Sequence, residues 1–217
     1  MDDLNKYIEH TLLKQDALCM DFVKLLNEAI EHKFLGVCII PCYVKFAKEY
    51  LTGSDVKVIT VVGFPLGANK PEVKAYEAKL AVQDGADEID MVINVSMLKR
   101  KEFGDVQAEI EAVKQACEDK PLKVILETDL LTKEEVEIAC NLCVKAKADF
   151  VKTSTGFVKN GVGAKVEDVE LMYKIVSPHG LKVKASAGIR DKQKALDMIK
   201  AGASRLGTSS GVEIIRQ

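Results

Sequence analysis

Short β-rich runs alternate with longer helical runs along the whole chain. The candidate strands are "YIEHT" (7–11), "LGVCII" (35–40), "VKVITVV" (56–62), "DEIDMVI" (87–93), "LKVILE" (122–127), "DFVKT" (149–153), "LKVKAS" (181–186) and "SRLGT" (204–208). Helical patterns with recognisable start and stop signals are predicted over 21–33, 72–84, 105–118, 166–176 and 191–202, and from a capping box at Thr132 and Glu135. Strands that alternate with helices imply a parallel sheet, since each parallel return needs a crossover. Eight strands are the number that closes a (β/α)8 barrel, and such barrels start at about 200 residues. With 217 residues, the chain is expected to be α/β, one compact (β/α)8 TIM barrel forming a single catalytic domain over 1–217. An open doubly wound sheet is the alternative, but no strand runs into a G-x-G-x-x-G turn.

The bulk numbers exclude several partners. Net charge is −2 and no basic block stands out, so the footprint of a nucleic-acid binder is missing. The start "MDDLNKYIEH" lacks the basic-then-apolar order of a signal peptide, and "VKVITVVGFPLG" is too short to span a bilayer. A cytoplasmic protein with no membrane partner is expected. Of the six cysteines, Cys140 and Cys143 form "CNLC", but they share one helical face with Val136 and Val144, so the thiols are expected in the core. No second CxxC exists and the three histidines are scattered. Neither a metal nor a cofactor is expected.

"ADFVKTSTG" (148–156) places Lys152 inside an apolar strand. Barrel strands are covered on both faces, so a lysine within one needs a partner or a task. Catalytic groups of barrels come from the C-terminal ends of several strands. Strand six carries Lys152, strand seven Lys184, strand four Asp90 and strand one Glu9. An amine attacks a carbonyl only when unprotonated, and burial beside a second cation lowers a lysine pKa. Lys152 next to Lys184 fits a Schiff-base lysine, with Asp90 as a carboxylate that moves protons. After strands seven and eight come the small turns "SAGIRD" (186–191) and "GTSSGVEII" (207–215). Loops at these two positions often hold a phosphate in barrels, through backbone N–H groups. "STG" (154–156) adds further donors.

"GFPLGANKPEVKAYEAKLAVQDGADEIDMVIN", "ADFVKTSTGF", "VKASAGIR" and "RLGTSSGV" together resemble the deoxyribose-phosphate aldolase family. The resemblance runs from "IEHTLL" to the C-terminus. It implies a metal-independent class I aldolase that reversibly cleaves 2-deoxy-D-ribose 5-phosphate to D-glyceraldehyde 3-phosphate and acetaldehyde in deoxynucleoside catabolism. It also implies a homo-oligomer whose partners are phosphosugar and aldehyde substrates. By the same resemblance Lys152 is the Schiff-base amine, Lys184 the lysine that perturbs it, and Asp90 the acid/base. Glu9 and Cys38 line the site, and Thr155, Gly156, Ala187, Gly188, Ser209 and Ser210 form the substrate and phosphate turns. The sequence departs from the family pattern at Glu9, where aspartate is usual, at Ile40, where a polar residue is common, and at Ala187, where glycine is usual. Two further readings stay open: a Schiff-base aldolase with an altered acceptor, and a non-catalytic phosphosugar-binding protein.

Overall fold

All eight expected strands form, and they close on themselves. In the computed structural model, which describes residues 3–217, the strands are β1 Ile8–Leu12, β2 Gly36–Ile39, β3 Lys57–Val62, β4 Glu88–Val92, β5 Leu122–Ile125, β6 Phe150–Lys152, β7 Lys182–Ser186 and β8 Ala203–Thr208. They pair in sequence order, and β8 returns to β1 through the parallel register Ile8↔Leu206 and Glu9↔Gly207. No edge strand is left unpaired, which removes the template for edge-to-edge association. The fold is therefore the (β/α)8 barrel, and the open-sheet alternative is not realised.

The described residues form helices α1 Cys19–Glu31, α2 Val44–Tyr50, α3 Pro71–Gln83, α4 Val95–Lys99, α5 Phe103–Ala116, α6 Lys133–Lys145, α7 Val166–Val176, α8 Lys192–Lys200 and α9 Gly211–Arg216. Sequence periodicity does not identify α2, α4 or α9, because five to seven residues are too few to display an amphipathic repeat. Helices α6 and α8 start where their caps predict. Thr132 Oγ1 accepts from Glu135 N–H at 3.2 Å while Glu135 Oε2 accepts from Thr132 N–H at 2.8 Å, and Asp191 accepts from Lys194 N–H at 2.8 Å. Cys140 and Cys143 pack in the shell between strands and helices, where burial pushes the Cys140 thiol up to about 12 and raises that of Cys143. A thiol held protonated in that way is inert, so the "CNLC" pair is core. Among the described residues, no helix is long and apolar enough to cross a membrane.

One fully buried ion pair lies outside the lumen. Lys74 of α3 donates to Glu109 Oε1 of α5 at 2.8 Å and to the Val92 carbonyl at the end of β4 at 2.8 Å. Glu109 Oε2 accepts from Asn94 N–H at 3.1 Å. Both side chains are fully enclosed. Burial lowers the Lys74 pKa and raises that of Glu109, each by more than the partner restores. The pair thus sits at a desolvation cost while tying two helices to the strand that carries Asp90. Lys74→Met alone, or Glu109→Gln alone, is expected to cost about 3–5 kcal/mol in urea unfolding by leaving a bare buried charge. The double variant Lys74→Met/Glu109→Leu should recover part of that loss, and failure to recover any would contradict a charge-desolvation origin.

Candidate active site

The two-residue period of a strand puts Glu88 and Asp90 on one face of β4, and closure turns that face into the lumen. The register sets Asp90 beside Lys123 of β5, Lys152 beside Lys184 of β7, and Lys184 beside Arg205 of β8. Asp90 lies at the centre of what results. Its Oδ1 accepts from Lys123 Nζ at 2.9 Å, and its Oδ2 accepts from Lys152 Nζ at 2.8 Å and Lys184 Nζ at 2.7 Å. Lys184 also donates to Glu9 Oε2. Lys123 reaches Glu88 Oε2 at 2.6 Å and lies 3.7 Å from Glu9 Oε1. Below this layer, Lys57 pairs with Glu88 Oε1 at 2.7 Å, and Arg205 stacks 5.4 Å from the centre of the Phe150 ring.

Electrostatics follow from that geometry. Burial alone would raise the Asp90 pKa, but Lys123, Lys152 and Lys184 outweigh it and hold the carboxyl well below the usual range. Burial alone would lower the Lys184 pKa, but Asp90 and Glu9 overcome it and push the value up. Lys184 is therefore a fixed ammonium next to Lys152. Lys123 is likewise raised, by Asp90 and Glu9 against burial. Cys38 lies in the lumen beside these groups, with its thiol raised by burial. Glu9, Cys38 and Asp90 are close enough together to suggest a metal cluster. Their carboxylates are already bonded to ammonium groups, so a cation would have to displace them.

The three lumen lysines are not equivalent. Lys123 and Lys184 are fully enclosed and each faces at least two carboxylates. Lys152 ends its strand, has one carboxylate partner, and opens into a cavity of about 250 Å³ at the C-terminal mouth. Gly156, Ala187, Gly188 and Ser209 line the same cavity. Ser210 does not line it; its N–H donates to Thr208 Oγ1 at 2.9 Å. Thr155 lines it too, but both its N–H and its hydroxyl are committed to Glu127. Ala187 has φ +66°, the left-handed region that a glycine would occupy freely.

Lys123, Glu88 and Glu127 are not among the residues expected from the sequence. The signal for Lys123 was present: "LKVILE" holds a lysine inside an apolar strand, as "DFVKT" does. Glu88 sits two residues from Asp90 and so shares its face. Nothing local marks Glu127.

The network has a pH signature. Burial would raise the Glu88 pKa, but Lys123 and Lys57 hold it down to about 2 from an ordinary 4.5. A depressed folded-state carboxyl contributes stability that is present above its unfolded value and lost as pH falls through the folded one. Urea midpoints should therefore hold down to about pH 5 and fall between about 4.5 and 2, with a shallower fall in Glu88→Gln. A variant that falls as steeply as the wild type would remove Glu88 from the network.

Residues 5–217 match the DeoC/LacD family aldolase profile. A deoxyribose-phosphate aldolase of Finegoldia magna is 54% identical over 213 residues, covering 98% of this chain and 99% of the relative. One of Brevibacillus brevis is 56% identical, covering 98% and 95%. Among solved structures, the tetrameric deoxyribose phosphate aldolase of Aeropyrum pernix superposes with a TM-score of 0.90 at 32% identity, covering 99% of this chain and 90% of that one. A lysine-rich lumen under an open mouth, on a chain matched end to end by these relatives, makes this protein a lyase that belongs to the DeoC/LacD family of aldolases.

Proposed function

We propose that this chain is a class I aldolase that reversibly cleaves 2-deoxy-D-ribose 5-phosphate to D-glyceraldehyde 3-phosphate and acetaldehyde, with Lys152 as the Schiff-base amine. The observation that carries the assignment is the difference among the three lysines. Only Lys152 combines a single carboxylate partner with an opening to the mouth cavity. Lys152 Nζ attacks C1 of the open-chain sugar, and loss of water leaves an imine. The protonated imine draws electrons from the C2–C3 bond. Asp90 takes the C3 hydroxyl proton through a water shared with Lys184. Held ionised by three ammonium groups, Asp90 is a weak base, so it passes the proton on rather than keeping it. The C2–C3 bond breaks, D-glyceraldehyde 3-phosphate leaves, and the enamine is protonated at C2. Hydrolysis then frees acetaldehyde and regenerates the amine. Gly156, Ala187, Gly188 and Ser209 hold the phosphate at the far end, which sets C1 against the amine. On this reading the reaction serves deoxynucleoside catabolism in the cytoplasm; the relatives' name, deoxyribose-phosphate aldolase, supports the substrate.

Borohydride added to protein incubated with acetaldehyde should leave a reduced adduct on Lys152, located by mass spectrometry and absent from Lys152→Ala. An adduct confined to Lys184 would reverse the two lysine roles, and intact protein with no adduct would sink the Schiff-base reading.

The same reading includes a homo-oligomer. Val73, Tyr76 and Leu80 recur along the outer face of α3 at helical spacing and are exposed, together with Leu66 before the helix. Apolar side chains gathered on a solvent face mark an association surface. Light scattering should give a multiple of the 23.8 kDa chain mass, and Tyr76→Asp should reduce it. A monomeric wild type would refute the oligomer, and an unchanged Tyr76→Asp assembly would refute this surface.

A further inference from the structure

After β5 the chain passes through Leu126 and Glu127 into a 3-10 turn at Thr128–Leu130. Glu127 has φ +62° and ψ +61° and is 4% exposed. The left-handed conformation is unfavourable for a residue with a Cβ. A buried carboxyl adds a second cost. Both fall on one residue that contacts neither Lys152 nor Asp90 through any hydrogen bond. Strain of this kind persists only where the surroundings over-determine it, and it clusters at functional sites.

The surroundings are specific. Leu126 N–H donates to the Lys152 carbonyl and Thr128 N–H to the Thr153 carbonyl, each at 2.9 Å. These bonds continue the β5–β6 ladder past the strand ends and bring the Glu127 side chain to residue 155. Its Oε1 accepts from Thr155 N–H at 3.1 Å, and its Oε2 accepts from the Thr155 hydroxyl. Thr155 Oγ1 in turn accepts from Phe157 N–H at 3.1 Å, which closes the turn around Gly156. Gly156 has φ +84°, and a Cβ on it would sit 3.4 Å from the Ala187 methyl. The two turns assigned to phosphate therefore abut at this point.

Behind them lies a second cavity of about 380 Å³, lined by Glu127, Asp129, Gly156, Ala187, Gly188 and Arg190 among others. The Gly156 turn is thus backed by open space on that side. Glu127 supplies a polar tether to this turn through Thr155, and beyond Gly156 the Phe157 ring packs edge-on against Phe64. Burial raises the Glu127 pKa despite the Thr155 bonds.

We infer that Glu127 is the positioning residue of the phosphate site: by clamping Thr155 from β5 it aims the Gly156 turn at the substrate phosphate without touching the substrate. The inference rests on the phosphate assignment made above for Gly156, Ala187 and Gly188.

The test compares cleavage of 2-deoxyribose 5-phosphate with that of phosphate-free 2-deoxyribose by the wild type, Glu127→Gln and Glu127→Gly. Glycine accepts the left-handed backbone freely, so Glu127→Gly removes the clamp while relieving the strain. Thermal melting checks that it folds. For the phosphorylated sugar, kcat/KM should fall about 10–100-fold in Glu127→Gly, mainly through KM. For the phosphate-free sugar it should fall by no more than about threefold. Glu127→Gln keeps one acceptor and should fall between wild type and Glu127→Gly. An equal loss on both sugars would mean a merely structural role and would overturn the inference. So would an unchanged ratio in a wild type that favours the phosphate. A wild type indifferent to the phosphate would overturn the phosphate reading itself, and the inference with it.

Discussion

The lumen is organised by one carboxylate that binds three ammonium groups. Asp90 receives Lys123 on one oxygen and both Lys152 and Lys184 on the other. Each ion taken singly into such a site would cost several kcal/mol, and only mutual pairing makes the burial tolerable. The arrangement therefore tolerates little slippage. A one-residue shift of β4 would turn Asp90 and Glu88 out of the lumen and leave the lysines bare. A charge set of this kind contributes little net stability, but it makes alternative registers expensive. The same grip has a chemical result: Asp90 stays ionised, Lys184 stays charged, and Lys152 is left with the weakest hold and the open side.

Positioning extends outward from this centre in two directions. On one side Lys74 and Glu109 tie α3 and α5 to the backbone just beyond Asp90, through Val92 and Asn94. On the other, Glu127 continues the pairing of β5 with β6 and anchors the turn that follows Lys152. In both places a buried carboxyl accepts from one backbone N–H, of Asn94 or Thr155, and from one side chain, of Lys74 or Thr155. A polar tether fixes a direction as well as a distance, which apolar packing does less well.

The three departures from the family pattern take on physical meaning in this setting. Glu9 has a longer arm than aspartate, and its carboxylate meets Lys184 while lying 3.7 Å from both Lys123 and Arg205. Ile40 is half-buried and joins the apolar cluster of Leu13, Cys38, Ile59 and Val61, with Phe64 alongside. Ala187 accepts a left-handed backbone, and its methyl lies 3.4 Å from where a Cβ on Gly156 would stand. None of them removes a charge from the central network.

Local patterns in the sequence are enough to determine the eight alternating units, the N-caps of α6 and α8, the core placement of "CNLC", and the oddity of Lys152 and Lys184 within strands. These are short-range properties: periodicity, capping and the cost of burying an ammonium are all readable within a dozen residues. The family motifs carried the reading further, to a reaction. Tertiary structure alone decided which lumen lysine has a single carboxylate partner and an opening to the mouth cavity, that Lys123 and Glu88 complete the lumen, and that Glu127 takes up Thr155. Those outcomes depend on barrel closure, which joins Lys184 to Glu9 across 175 residues and Lys152 to Asp90 across 62. Ion pairing varies with ångström-scale register across strands that are remote in the chain, and no local sequence window contains that information.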